Sequence, residues 1–293
     1  MKKNHANSQK ISQKSCHFYT FQCIYTAYSG INMFCKIKKT IRKSIKLLSI
    51  KTEYYLCTLN FKIMDAYKHV FFDLDRTLWD FEENSKETLN DMFVQYDLQD
   101  FIPNFESFLS TYRNHNVYFW DKYRSGEIPK SELRINRFLF TISDFGNNDQ
   151  NLAQKMDKFY ITHSSEKTQL FPGAIEKLST LCKKYKLYII TNGFKEVQYK
   201  KIRNCNIEQY FTKIFTSEEV GYQKPNKKAF EAVLSSVNAS KSKSIMIGDD
   251  IDVDIKGAAN AGIDQIFFNP ESKVVNLKPT HEIKNLREIL SIL

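Results

Sequence analysis

Cysteine is sparse and poorly placed for metal or disulfide work. The six cysteines, Cys16, Cys23, Cys35, Cys57, Cys182 and Cys205, include no C-x-x-C pair. Neither a structural zinc site nor a disulfide framework is expected, and reduced thiols in a cytoplasmic protein are the natural reading. A run of about eighteen apolar residues is also missing, so no membrane-spanning helix is expected. Residues 1–63 contain no proline, no aspartate and one glycine, and therefore lack the turn residues of a folded domain. A secretory or organellar leader is poorly formed there, because Gln22, Ser29, Gly30 and Asn32 interrupt the one apolar stretch and arginine is scarce.

Charge divides the chain in the same place. The formal net charge is +10, yet residues 1–63 hold twelve Lys or Arg against the single acid Glu53, leaving residues 64–293 at −1. A basic balance that would suggest nucleic acid or an anionic surface is thus confined to the first fifth of the chain. No nucleic-acid partner is expected, and no membrane partner for residues 64–293. Three readings compete for residues 1–63. Ile37, Ile41, Ile45 and Leu48 stand at helical intervals among lysines, as in a helix lying on a membrane surface. A targeting peptide is the second reading. The expectation is the third: a basic extension without fixed structure, or translated upstream sequence with Met64 as the true start.

From Met64 onward short apolar runs alternate with helical patterns. Strands are predicted at 69–74, 187–191, 213–216, 244–247 and 265–268, and helices at 173–184, 196–204, 226–237 and 252–261, the last closed by Gly262. Strand, helix, strand at this spacing implies parallel pairing through right-handed crossovers, hence an α/β fold with a Rossmann-like doubly wound parallel sheet. Ligands in such sheets bind beyond the carboxyl ends of the strands. The interval 80–170 holds several amphipathic helical patterns and no convincing strand. It reads as an inserted all-helical cap, with the core formed by 64–79 and 171–293, and its exit at the ligand end suits a lid.

The strand ends carry the chemistry. "HVFFDLDRT" ends a buried strand with Asp73 and Asp75, where a carboxylate is costly unless partnered. Thr191, Asn192 and Gly193 follow the second strand, Lys224 precedes Pro225 after the third, and "GDDIDVD" supplies Asp249 and Asp254 after the fourth. Each piece alone is as readily a turn, a helix entrance or an acidic helix start. Together they make one rim. Clustered carboxylates require a hard cation among oxygen ligands, and magnesium suits a site that keeps waters and a phosphate. Lys224 would offset the phosphate charge, while the Thr191 hydroxyl and the amides of Asn192 and Gly193 hold its oxygens. Asp73 is then the nucleophile toward phosphorus, and Asp75 the general acid and base.

In this ordered set the sequence resembles the haloacid dehalogenase-like superfamily, through "DLDRT", "TNG", "KP" and "GDDIDVD". The resemblance implies Asp73 as phosphoryl acceptor, Asp75 as acid and base, and Thr191 and Lys224 as anchors. It further implies Mg2+ held by Asp73, the Asp75 carbonyl and Asp249, with Asp254 supporting from outside the coordination sphere. Dehalogenases of the superfamily lack an acid at the position of Asp75, which points to phosphoryl transfer. "FWDKYRSGEIPKSELRINRF" and "ITNGFKEVQ" extend the similarity to pyrimidine 5'-nucleotidases of the YjjG type. A small-molecule phosphate monoester, a pyrimidine nucleotide, is the substrate this implies; a sugar phosphate or phosphoglycolate, and a non-catalytic binding scaffold, are the alternatives. Within the cap, Trp79, Phe81, Trp120, Tyr123 and Phe138 could stack on a base or form the cap's own core, and Arg134 or Arg137 could reach the nucleotide.

Overall fold

The computed structural model describes residues 67–293. The expectations for residues 1–63 and for Met64 lie outside the described residues. Six strands form one parallel sheet: β1 (His69–Phe72), β2 (Lys186–Thr191), β3 (Lys213–Thr216), β4 (Ser244–Gly248), β5 (Asp264–Phe268) and β6 (His281–Ile283), in the order β3-β2-β1-β4-β5-β6. The strand that leads into Asp73 therefore sits centrally, with β2 on one side and β4 on the other. β6 was not expected from the sequence. It is three residues long, and its half-exposed start gives no apolar run to read.

Side-chain alternation explains why β1 is buried on both sides. Val70 and Phe72 join Leu178, Leu187, Ile189, Ile202, Ile245, Ile247 and Ile266 on one face. Phe71 points the other way, to Tyr188, Phe230, Val233, Met246 and Ala258. A period of two along a strand covered by helices on both faces makes every position apolar, as observed. The covering helices are α5 (Ala174–Leu181) and α6 (Lys195–Asn204) on the first face, and α8 (Lys227–Ser236) and α9 (Lys256–Ala261) on the second, with the short α7 (Ser217–Val220) after β3. The helix predicted over 252–261 begins instead with a wide turn, Ile251–Ile255, capped by the Asp250 side chain, which accepts from the Asp252 and Val253 amides.

Between β1 and α5 stand the four helices of the cap, α1 (Phe81–Gln95), α2 (Phe105–Ser125), α3 (Lys130–Ser143) and α4 (Gln150–Ser164). They bury a core of their own, including Leu89, Met92, Phe108, Tyr112, Phe138, Ile142, Met156 and Tyr160. A separate, smaller cluster joins cap to sheet domain: Phe119 and Leu133 of the cap pack with Phe194 and Val197 at the start of α6. The two connecting segments run side by side. Asp80 N donates to Gln169 O at 3.0 Å, Phe171 N donates to Leu78 O at 2.9 Å, and Asn84 exchanges hydrogen bonds with the Gln169 backbone. This is the architecture expected from the sequence, a doubly wound parallel sheet with an inserted helical cap. Among the described residues no helix is long and apolar enough to cross a membrane.

Candidate active site

Asp73, Asp75, Thr191, Asn192, Gly193, Lys224, Asp249 and Asp254 all line one cavity of about 480 Å³. They arrive there because β1, β2 and β4 run parallel and end on the same side, so the residue following each strand faces the same rim. Phe81, Asn116, Trp120 and Arg124 line the same cavity from the cap side.

Lys224 is the pivot of the charged floor. Its Nζ donates to Asp73 Oδ1 and to Asp254 Oδ1, both at 2.6 Å, with its side chain only 2% exposed. Burial works against the ammonium charge, but Asp254 and Asp73 outweigh it and hold the lysine protonated well above its usual range. Asn192 fixes where that lysine starts: its amide nitrogen donates to the Lys224 carbonyl and its oxygen accepts from the Lys224 amide, each at 2.8 Å. Asn192 thus positions Lys224, a role that sequence reading did not anticipate.

Asp73, Asp249 and Asp254 each bring a carboxylate oxygen within 4.8 Å of the others. Burial raises the pKa of Asp73 well above the usual carboxylate range, with Lys224 opposing and the neighbouring acids adding to the rise. Asp249 is pushed up to about 7, by burial first and then by Asp254. One ammonium against three carboxylates leaves the cluster short of positive charge, and an all-oxygen donor set of this kind fits a hard divalent cation. The uncommitted oxygens are unequally shared. Among the described residues, Asp73 Oδ2 and Asp249 Oδ2 have no hydrogen-bond partner, while Asp254 spends one oxygen on Lys224 and the other on the Asp250 amide at 3.3 Å. Gly248 is required by that packing, because a Cβ there would lie 2.4 Å from Asp254 Oδ2.

Asp75 was expected to contribute its carbonyl to a cation and its carboxylate to proton transfer, and the two groups do point to different surroundings. No backbone amide donates to its carbonyl among the described residues. Its carboxylate accepts from Lys201 Nζ at 2.6 Å and from Gln198 Nε2 at 2.7 Å, two α6 residues one turn apart. Lys201 is buried, lies 3.6 Å from the centre of the Trp79 ring, and has its pKa lowered because burial exceeds the effect of Asp75. Gln198 Nε2 also donates to Thr191 Oγ1 at 2.7 Å, and the Gly193 amide donates to the same oxygen at 3.1 Å. Both lone pairs of that hydroxyl are then occupied, so its own proton is left to donate into the cavity. The Gly193 amide, expected to hold phosphate, is spent on Thr191. Gly193 is nonetheless needed, since a Cβ there would meet Gln198 Nε2 at 2.2 Å.

The cap arginines stand elsewhere. Arg134 makes a two-pronged bond to Asp157 (2.8–3.2 Å), and Arg137, 3% exposed, sits between the rings of Phe138 and Tyr160. Neither is among the residues lining the cavity, where they were expected to reach a nucleotide; Arg134 pairs with Asp157 and Arg137 with Asn116. Trp79 and Phe138 are likewise fully buried in the sheet-domain and cap cores, whereas Phe81 and Trp120 do line the cavity. Sequence reading missed Asn116, Arg124, Gln198, Lys201 and Lys273. Gln198 and Lys201 had a usable signal, three residues apart on the helix that follows Thr191.

Comparison with known proteins gives a consistent result. A family model described as haloacid dehalogenase-like hydrolase matches residues 67–262. The HAD-hydrolase YfnB of Bacillus subtilis is 32% identical over 78% of this chain and 97% of the relative. Pyrimidine 5'-nucleotidase PynA of Streptococcus pneumoniae is 31% identical over 78% of this chain and 95% of the relative, and pyrimidine 5'-nucleotidase YjjG of Escherichia coli is 30% identical over 76% and 96%. A magnesium-bound crystal structure of YfnB superposes with a TM-score of 0.72 at 31% identity, covering 78% of this chain and 98% of that one.

Proposed function

The chain belongs to the haloacid dehalogenase-like hydrolases, and we propose that it is a magnesium-dependent phosphomonoesterase that prefers pyrimidine nucleoside 5'-monophosphates. The observation that carries this reading is the convergence of Asp73, Asp75, Thr191, Lys224 and Asp249 on one cap-roofed cavity. An acid at Asp75 suits phosphoryl transfer, and the relatives PynA and YjjG are named as pyrimidine 5'-nucleotidases.

The residues divide the work as follows. Asp73, Asp249 and the Asp75 carbonyl would hold magnesium, which when bound supplies positive charge against the three carboxylates and the phosphate dianion. The Asp73 carboxylate attacks phosphorus in line with the ester oxygen, forming a P–O bond to Asp73 as the bond to the leaving alkoxide breaks. Asp75 delivers a proton to that alkoxide. Water then attacks the aspartyl-phosphate, giving its proton to Asp75, and the P–O bond to Asp73 breaks to release inorganic phosphate. Throughout, Lys224 and the Thr191 proton face the phosphate oxygens, and Gln198 ties Thr191 to Asp75 so that the anchoring group and the proton carrier keep one geometry.

The test is a panel of phosphate monoesters assayed with magnesium and again after chelation. UMP, dUMP and dTMP should exceed AMP, ribose 5-phosphate and p-nitrophenyl phosphate in kcat/KM, and chelation should abolish turnover until magnesium is restored. Hexose or glycolate phosphates ahead of every pyrimidine nucleotide would move the substrate assignment while leaving the chemistry in place.

A further inference from the structure

Asn116 stands on α2, in the roof of the cavity, and is 5% exposed. Its Oδ1 accepts from Arg137 Nη1 at 3.1 Å and from the Tyr112 hydroxyl at 3.3 Å. A guanidinium has donors and no acceptor, so the oxygen of the amide must face Arg137 and the nitrogen must face away from it. Arg137 cannot easily move to relax this. It is packed 4.9 and 4.8 Å from the centres of the Phe138 and Tyr160 rings, and its Nη2 lies 3.8 Å from Asp157. The amide is therefore locked in one orientation by groups behind it.

The consequence is an oriented donor. Asn116 Nδ2 has no hydrogen-bond partner among the described residues, and Asn116 lines both this cavity and a smaller pocket beside it, bounded by Arg76, Tyr112 and Arg113. One helical turn further along α2, Trp120 lines the same cavity and stacks on Phe194, with ring centres 5.3 Å apart and planes at 23°. A flat aromatic wall next to a fixed N–H donor suits a planar ring bearing a carbonyl oxygen. An exocyclic amine offers only donors and would face the amide unfavourably.

We propose that Asn116 determines specificity by donating from Nδ2 to a ring carbonyl oxygen of a uracil or thymine nucleotide, an inference that rests on the pyrimidine nucleotidase reading above. Arg137, expected from the sequence to touch substrate, acts instead through Asn116, by holding its amide the right way round.

The experiment compares kcat/KM for UMP, CMP and p-nitrophenyl phosphate in the intact protein, Asn116→Asp and Asn116→Ala, with thermal melts to verify folding. Asn116→Asp keeps an acceptor for Arg137 and Tyr112 but presents an acceptor to the cavity in place of the donor. Any common loss from its added charge divides out in the ratio of UMP to p-nitrophenyl phosphate, which should fall roughly tenfold to a hundredfold. Asn116→Ala, neutral and without a donor, should lower the same ratio by about fivefold to tenfold. A rise of CMP relative to UMP in Asn116→Asp places the bond at the 4-carbonyl, and a parallel fall places it at the 2-carbonyl; both support the proposal. Should Asn116→Asp not fold, Asn116→Ala decides alone. An unmoved UMP ratio in a folded variant overturns the inference while the nucleotidase reading stands. No preference for UMP in the intact protein overturns that reading, and the inference with it.

Discussion

The sheet rim and the cap roof face each other across one cavity, but they use charge in opposite ways. On the rim, charged groups are aimed at the cavity: Lys224 reaches Asp73 and Asp254, and Lys201 reaches Asp75. In the cap, two arginines are turned inward, Arg134 to Asp157 and Arg137 to Asn116. A charged residue near a site is thus a poor guide to function until its partner is known. The rim gathers its charges where the proposed chemistry needs them, and the cap uses Arg134 and Arg137 to hold its own side chains in place.

The largest effect should follow from the rim. On the proposed mechanism Asp73→Asn removes the nucleophile and should lower turnover by about 10⁴-fold or more, equally for UMP and p-nitrophenyl phosphate, because the lost step is common to every monoester. The protein should remain folded, since Lys224 keeps its bond to Asp254. Substantial turnover in the purified variant, or a loss confined to nucleotides, would break the division of labour between the two regions.

That division also explains what could be read in advance. Asp73 and Asp249 were legible because each follows a buried apolar strand, and Thr191 because it ends one; in a parallel sheet the end of a strand is an address. Lys224 was legible as the residue before Pro225 at the mouth of α8. The cap offers no such address. A helix position faces either core or cavity, and the choice depends on partners distant in sequence: Arg134 finds Asp157 on α4, and Phe138 stacks on Tyr112 of α2 at 5.2 Å. Asn116 was overlooked for a different reason. A neutral amide carries no titratable or nucleophilic signal, and its value comes from the Arg137 contact that orients it. Lys201 escaped because nothing local shows that a helical lysine will be buried against Trp79.

An intermediate effect separates packing from recognition in the cap. Arg134→Ala should destabilise the protein by about 1–3 kcal/mol, the usual cost of stranding a buried carboxylate's hydrogen bonds, here those of Asp157. Denaturant unfolding would measure this. The ratio of UMP to p-nitrophenyl phosphate turnover should not move, in contrast to the Asn116 variants. A selective loss of nucleotide turnover in Arg134→Ala would return the arginine to the substrate site.

The smallest effect concerns Arg76, a rim residue that joins the two regions by charge. Arg76 follows Asp75 on the rim, lies over the Phe81 ring at 4.0 Å, and pairs with Glu82 of the cap at 2.9 Å; Glu82 also holds Arg113 at 2.8 Å. It does so with φ of 62°, the left-handed region that costs a side chain about 1–2 kcal/mol. The ion pair is nearly half exposed on both sides, so its contribution is about 0–1 kcal/mol. Comparing Arg76→Gly with Arg76→Ala removes that uncertainty, because both lose the pair and the ring contact while only alanine retains the backbone cost. Glycine regains flexibility when unfolded, which takes back about 0.4–1 kcal/mol of its advantage. Arg76→Gly should therefore be the more stable of the two by about 1 kcal/mol or less, read as a higher denaturant midpoint at equal slope. An alanine variant at least as stable as the glycine one would mean that the turn after Asp75 relaxes out of the left-handed region once the arginine is gone, and that the Glu82 and Phe81 contacts, rather than the rim, impose its shape.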